Sequence, residues 1–474
     1  MTPGDKPAGD KELNSSDPNS YSVAMLKQVI GLVSVGILQE IIWIAMCSLG
    51  PLRENTGSFL VLIFIQLALC LGTFFLLPVK GRYGIGIVLA FALLYRVTLV
   101  AAPPHQSEDV YRYIWDAKVA SHGISPYGYP PDAPEIRHLR DAQVYPMINS
   151  KPYITAYPPS SQLVFRLSYS LFGADVTAMK AFFSLFEFLA VIVAWRLLVL
   201  WGKSCQPLLL MAWHPFFVFE FSASGHSDSM MILLLLLSIY LLVRGKESLS
   251  LVAYAGAVMA KLHPALWFPL ILRRTGWKAA LAGFATGLML VLLYFTPASW
   301  INYIKSLTLY FRLFEFNAGI HYFIRFIGRW GFEESWDKLI GPYLGVVLLL
   351  ICIGIWYRFP VRNERDLLHG GFWLMTADLC LATTVHPWYL SWAALALPFF
   401  PYAFMVYWTG ACFLSYLAYS QHPVYEPAWV LLVQYIPMYA LMIWEIRRRR
   451  PLLDIWPERR KPGEEKESLS RNAA

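Results

Sequence analysis

Six acidic side chains, Glu108, Asp109, Asp116, Asp132, Glu135 and Asp141, fall between Ala102 and Ser160 in a stretch rich in Tyr and Pro. The piece EDVYRYIWDAKVASHG reads as a helix opened by Ser107 and stopped at Gly123. Asp109, Arg112 and Asp116 recur at i, i+3 and i+7 and share one face, while Val110, Ile114 and Ala117 share another. Carboxylates on one face of such a helix suit general-base work on a hydroxyl and hydrogen bonding to a sugar. They equally suit a helix lying at a membrane surface with its acids in water.

A second set of polar residues interrupts apolar sequence. Lys261 sits inside AVMAKLHPALW, with His263 beside it. An ammonium at membrane depth is costly and calls for an anion, either a phosphate or an internal carboxylate such as Glu187 or Glu220. FEFSASGHSDSMM places Glu220, His226 and Asp228 at a turn between helices, where Asp228 can orient a hydroxyl, coordinate a cation or cap the next helix. HPWYLSW brings His386, Trp388 and Tyr389, whose rings suit a sugar or prenyl chain as well as an interfacial aromatic belt. Lys305, Arg312, Arg325 and Arg329 stand among aromatics further upstream, as headgroup anchors or a phosphate clamp.

The elements that position these residues follow from composition. The 474-residue chain is 57% hydrophobic and 15% charged, where a soluble domain carries about a quarter charged residues. Apolar blocks recur from Tyr21 to Trp444. Blocks of about 20 apolar residues are membrane-spanning helices, because lipid cannot satisfy an open backbone. The fold class expected is all-α, a polytopic integral membrane protein of about 11 to 14 transmembrane helices with amphipathic interfacial helices outside the membrane. The blocks 207–222 and 403–420 read as spans, 249–272 as a hairpin of two short helices turning near Lys261 to Pro264, and 388–401 as a short interrupted piece. The helix expected within YPPSSQLVFRLSYSLFG carries Arg166 and fits an interfacial or re-entrant segment that roofs a cavity with the acidic helix.

Basic residues at Lys80, Arg82, Lys203, Arg244, Arg273, Arg274 and Arg358 to Arg365, and the run Arg447 to Arg450, can all lie on one side, which the positive-inside rule makes cytoplasmic. The acidic loop, SASGHSD and HPWYLSW then face the periplasm or exterior of an inner (plasma) membrane. Three regions result: a polar cytoplasmic N-terminus at 1–21, a transmembrane domain at 22–446 with outer loops at 103–160 and 297–337, and a basic, disordered cytoplasmic tail at 447–474. The net charge of +8 therefore reports topology and not a nucleic-acid partner. The six cysteines are scattered without a CxxC pair and read as buried, inert thiols.

The order DVYRY, SPY, YPP, GHSD, AKLHP and HPWYLSW resembles the multi-spanning GT-C glycosyltransferases, and among them the bacterial polyprenyl-phosphate-sugar-dependent α-mannosyltransferases and their uncharacterised relatives. The likeness runs over roughly residues 84 to 400 and leaves the first two helices without a role. It implies transfer of a sugar, a hexose such as mannose, from a polyprenyl-phosphate donor to a lipid or glycan acceptor on the extracytoplasmic side, with inversion at the anomeric carbon. The family's base stands at the start of the first outer helix, which falls on Asp109, with Glu108 as its rival. The face shared with Arg112 and Asp116 favours Asp109. Arg112, Asp116, His226, Asp228, Lys261, His263, His386, Trp388 and Tyr389 are then candidate substrate-binding residues. Some relatives use a divalent cation, which Asp109 and Asp228 could support, although no compact ligand cluster demands one. A transporter or flippase of lipid-linked sugars is the alternative. Such proteins often carry an internal repeat, and the acidic loop at 103–160 has no counterpart in the second half.

Overall fold

A computed structural model describes residues 18–104, 106–331, 337–421 and 423–456. Most of the N-terminal segment 1–21 and all of the tail beyond 456 lie outside the described residues. The chain begins with three long apolar helices, α1 (Pro18–Cys47), α2 (Thr56–Leu76) and α3 (Gly81–Val100), followed by the outer helix α4 (Asp109–Ser121). After the loop come α5 (Pro159–Phe172) and the long α6 (Val176–Leu200). Two single-turn helices, α7 (Leu209–Ala212) and α8 (Pro215–Val218), lead into a π-helical turn at Phe219–Ala223 and then α9 (Asp228–Val243). The remainder is α10 (Glu247–Val258), α11 (Phe268–Leu272), α12 (Trp277–Tyr294), α13 (Pro297–Leu313), α14 (Gly319–Gly331), α15 (Asp337–Arg358), α16 (Glu364–Leu381), α17 (Ser391–Ala394), α18 (Ala403–Ala411) and α19 (Ala428–Arg448). Among the described residues there is no strand, only a single bridge between Phe316 and Thr384.

Among the described residues, seven helices are long and apolar enough to cross a membrane: most of α1, α2, α3, α6, α12, most of α15, and α19. Two of the other expected spans are broken. The block 207–222 is α7, α8 and the π-turn, and 403–420 is α18 followed by a 3-10 stretch at Cys412–Ser420. Residues 205–229 and 387–402 are buried throughout, and that is the physical reason they can be irregular. Non-helical backbone at membrane depth survives where protein surrounds it. The outer helices do the opposite, and α12 turns Leu281, Phe284, Leu292 and Leu293 outward. The 249–272 region is α10, a turn, a 3-10 segment at His263–Trp267 and α11.

Two buried ion contacts tie this core together. Arg96 on α3 pairs with Glu187 on α6 (Nη2 to Oε1, 2.7 Å) and donates to the Ala212 carbonyl at 3.0 Å. Lys180 on α6 donates to the carbonyls of Leu99, Val100 and Ala102 at the end of α3, where orphan carbonyls need partners.

The acidic helix is not an interfacial helix with its acids in water. Both faces of α4 are covered: Val110, Tyr113, Ile114 and Trp115 pack on Phe165 and Phe183, and Asp116 is 1% exposed. Tyr113 and Phe165 stack with centroids 4.4 Å apart, which fixes α4 against α5. Ser107 stands one residue ahead of the N-cap, and its Oγ accepts from the backbone N–H of Asp109 at 3.3 Å. Glu108 is the N-cap residue, and Gly123, at φ +76, ends the helix as its type allows. The N-terminus of α5 docks on the turn after α10, with Ser160 N donating to Met259 O (2.8 Å) and Ser161 Oγ to Ala260 O (2.9 Å). The roof is thereby fastened to the segment that carries Lys261.

Candidate active site

Beneath this roof lies a cavity of about 630 Å³ lined by Arg53, Glu108, Asp109, Arg112, Asn149, Tyr157, Phe316, His386, Trp388, Tyr389 and Tyr419, among others. It falls within the 300–1,000 Å³ usual for small-ligand sites. Its walls come from distant parts of the chain. The start of α4 supplies Glu108 and Asp109, and the 3-10 turn Pro387–Leu390 supplies Trp388 and Tyr389. The bridge in which Val385 N donates to Phe316 O (2.8 Å) brings Phe316 alongside.

Three carboxylates reach this wall, and they differ in their partners. Glu108 is held by Arg53 at 2.6 Å, and Glu315 pairs with Arg325. Asp109 has no Arg or Lys partner among the described residues. Its neighbours are Asn149, whose Nδ2 is 3.5 Å from Oδ1, and His226, whose Nδ1 is 3.7 Å from Oδ2. Burial pushes the Asp109 carboxyl above its ordinary value, the Lys261 charge and hydrogen bonds from Asn149 and Tyr157 oppose this, and Asp228 adds to it. A carboxylate raised in this way is a better proton acceptor than one in water.

Arg112 lines the cavity, but most of its donors are committed: Nε to Asp116 (2.8 Å) and Nη1 to Ser150 and to the Tyr153 carbonyl (2.9 Å). Its Nη2 is buried with no partner. Asp116 lies beneath, taken up by Arg112 and by Gln162 (2.9 Å), so it shapes the loop at 150–153 without lining the cavity.

Lys261 pairs with neither Glu187 nor Glu220. Its Nζ is 3.2 Å from Asp228, and it stands over the rings of Tyr389 (5.0 Å) and Trp392 (5.6 Å). Asp228 is the first residue of α9 and makes no cap. It accepts from Trp392 Nε1 at 2.6 Å as well as from Lys261. Both lie behind Tyr389. His263 is set apart, bonded to Asp378 at 2.7 Å and stacked on Trp392.

An aromatic column runs from the interior to the cavity: His226 stacks on Trp388 at 3.7 Å, Trp388 on His386 at 4.5 Å, and His386 on Phe316 at 4.9 Å. Among the described residues no three His, Cys, Asp or Glu side chains gather to hold a metal ion. The cysteines are free, and all but Cys47 are buried. The side chains of Arg312 and Arg329 lie outside the described residues.

Arg53, Asn149, Tyr157, Phe316 and Trp392 were not singled out in the sequence. Arg53 left a signal nonetheless. It is a basic residue in the short loop between two long apolar helices, α1 and α2, and its pairing with Glu108 brings that loop to the cavity.

An all-helical membrane protein with a roofed carboxylate cavity built on broken central helices fits the glycosyltransferase class that the sequence resembles, and known proteins bear on this directly. Residues 22–275 match the family model described as "Alpha-(1->6)-mannopyranosyltransferase, N-terminal domain", and the chain belongs to that family. Over 338 residues it is 23% identical to Alpha-(1->6)-mannopyranosyltransferase A of Mycobacterium tuberculosis, a stretch covering 65% of this chain and 64% of that protein. The chain thus spans less than two thirds of that relative's length. No solved structure matches it.

Proposed function

We propose that this protein transfers a hexose, mannose by the name of its relative, from a polyprenyl-phosphate donor to a hydroxyl of a lipid or glycan acceptor, on the extracytoplasmic side of the plasma membrane. Asp109 is the general base. As it takes the hydroxyl proton, the acceptor oxygen bonds to the anomeric carbon from the face opposite the phosphate, and the carbon–phosphate-oxygen bond breaks with inversion. The observation that carries this reading is the pairing pattern on the cavity wall. Glu108 and Glu315 are neutralised by arginines, while Asp109 is left as a base.

Two cations suit the departing phosphate. Arg112 lines the wall and keeps one buried nitrogen, Nη2, without a partner. Lys261 becomes available when Tyr389, over whose ring it stands, turns aside. The edges of Trp388 and His386 and the ring of Phe316 form the wall against which sugar rings lie.

The test is Asp109→Asn in full-length protein reconstituted in liposomes with mannosyl-phosphoryl-polyprenol. A general base contributes a factor of about 10² to 10⁴, so transfer falls by that much while expression and folding persist. Full activity of the variant refutes the base. Movement of the lipid-linked sugar between leaflets with no glycosidic bond formed would instead make the protein a flippase.

A further inference from the structure

Away from the roofed cavity, where the start of α3 meets the end of α6, lies another hollow of about 720 Å³, and nothing above uses it. α3 has 20 residues and is therefore about 30 Å long, the thickness of a bilayer's hydrocarbon core. Its C-terminal end leads into α4 and the candidate active site. The hollow at its N-terminal end thus stands at the opposite headgroup level. Ile85 and Leu89, one turn apart on α3, and Trp195 and Val199, one turn apart on α6, give it two facing apolar stripes. Trp456 lines it as well, and its indole N–H is buried without a partner.

Lys80 and Arg82 stand at this hollow, both exposed, and no carboxylate is found among the described residues that line it. Arg82 rests on its neighbour, with Nη2 donating to the Tyr83 hydroxyl at 2.9 Å. The bend that carries them is fixed by other groups. Gln206, 1% exposed, accepts from Val79 N at 2.6 Å and donates to the carbonyls of Phe74 (2.9 Å) and Leu77 (2.8 Å). Gln28 donates to the Lys80 carbonyl at 2.9 Å. The two cations are therefore held in place without being part of what holds the bend. At Gly86, also on the wall, a Cβ would meet nothing within 4 Å.

Two cations at headgroup level above apolar walls call for an anion with a hydrocarbon chain. A free anion would leave the walls bare, and a lipid without net charge would leave both cations uncompensated. The chain's own residues 457–474 fill it badly, since Leu469 is their one large apolar side chain. We infer that an anionic phospholipid occupies this hollow, its phosphate between Lys80 and Arg82 and an acyl chain along the stripes of α3 and α6. A ligand that bridges these two helices in the folded chain stabilises that chain by mass action.

The experiment is thermal unfolding of the full-length protein in detergent, titrated with phosphatidylglycerol, with phosphatidylcholine of the same chains, and with inorganic phosphate. Phosphatidylglycerol should raise the unfolding temperature to a plateau at concentrations where the other two leave it unmoved. In Lys80→Gln with Arg82→Gln the lipid-free protein should melt with the parent, because neither side chain holds the bend. Each cation near the headgroups contributes about fivefold in affinity, so the midpoint for phosphatidylglycerol should rise on the order of 30-fold in the double variant. Gly86→Trp fills the hollow and should abolish the plateau. If that variant does not assemble, native mass spectrometry of the parent and the double variant counts retained phosphatidylglycerol, which the double variant should lose. A parent that answers phosphatidylcholine equally, or inorganic phosphate equally, overturns the inference. So does a double variant that titrates or retains lipid like the parent.

Discussion

Replacing Lys261 by methionine separates a structural role from a substrate role, and the geometry fixes the size of each. Lys261 Nζ lies 3.2 Å from Oδ1 and 3.4 Å from Oδ2 of Asp228, whose side chain is 1% exposed. Removing the ammonium strands that carboxylate with Trp392 Nε1 as its remaining hydrogen-bond donor. Breaking a buried pair from one side costs about 3 to 5 kcal/mol. The Lys261 side chain is 16% exposed, so water relieves part of this and about 3 kcal/mol is expected. That corresponds to a fall on the order of 5 °C in unfolding temperature. The double variant Lys261→Met with Asp228→Asn removes both charges, and the asparagine oxygen still accepts from Trp392. Most of the stability should return. The assay is thermal unfolding of the full chain in detergent, followed by donor kinetics in liposomes. If Lys261 meets the donor phosphate, the double variant is stable and still has a raised donor KM. A single variant that melts with the parent, or a double variant no more stable than the single, refutes the pairing argument. A stable double variant with unchanged donor KM refutes the phosphate contact.

Two further outcomes follow from the site. Because burial raises the Asp109 carboxyl, the base is protonated at a higher pH than an ordinary carboxylate, so transfer should fall away on acidification before a free carboxyl would titrate. The folded protein then binds that proton more tightly than the unfolded chain. This group's contribution therefore favours folding at low pH and is lost as pH rises through the raised value, and melting of Asp109→Asn should lack that dependence. Gly225→Ala places a Cβ on a left-handed backbone against Lys180 and should cost about 2 kcal/mol, read as a lower unfolding temperature.

The membrane fold was legible because seven helices are long and apolar in unbroken runs, and lipid leaves such runs no other form. The blocks 207–222 and 403–420 misled for a related reason. Hydropathy reports burial, and burial in protein looks the same in sequence as burial in lipid, yet only the first allows a chain to break at Pro207, Pro215 and the π-turn. Asp109 and Glu108 stood out in the sequence at the head of an acidic helix, but which of the two carboxylates is paired with a cation did not. That choice depends on Arg53, more than fifty residues upstream, whose loop meets Glu108 only in the fold. Lys261 announced a buried partner, and the spacing of carboxylates along the chain could not say that Asp228 was the one. Asp116 and Arg112 share a face with Asp109, as the helical period requires. The face is covered by the loop at 150–153, which periodicity cannot foresee.

The cavity is also divided along the chain. Glu108, Asp109, Asn149 and Tyr157 on its wall fall within residues 22–275, the part that carries the family signature, whereas Phe316, His386, Trp388, Tyr389 and Tyr419 come from beyond it. One wall of the hollow is thus written outside the signature. Substitutions in that later segment can recast the aromatic wall while the carboxylate wall stays as it is, and under the proposed reaction that alters which acceptors fit.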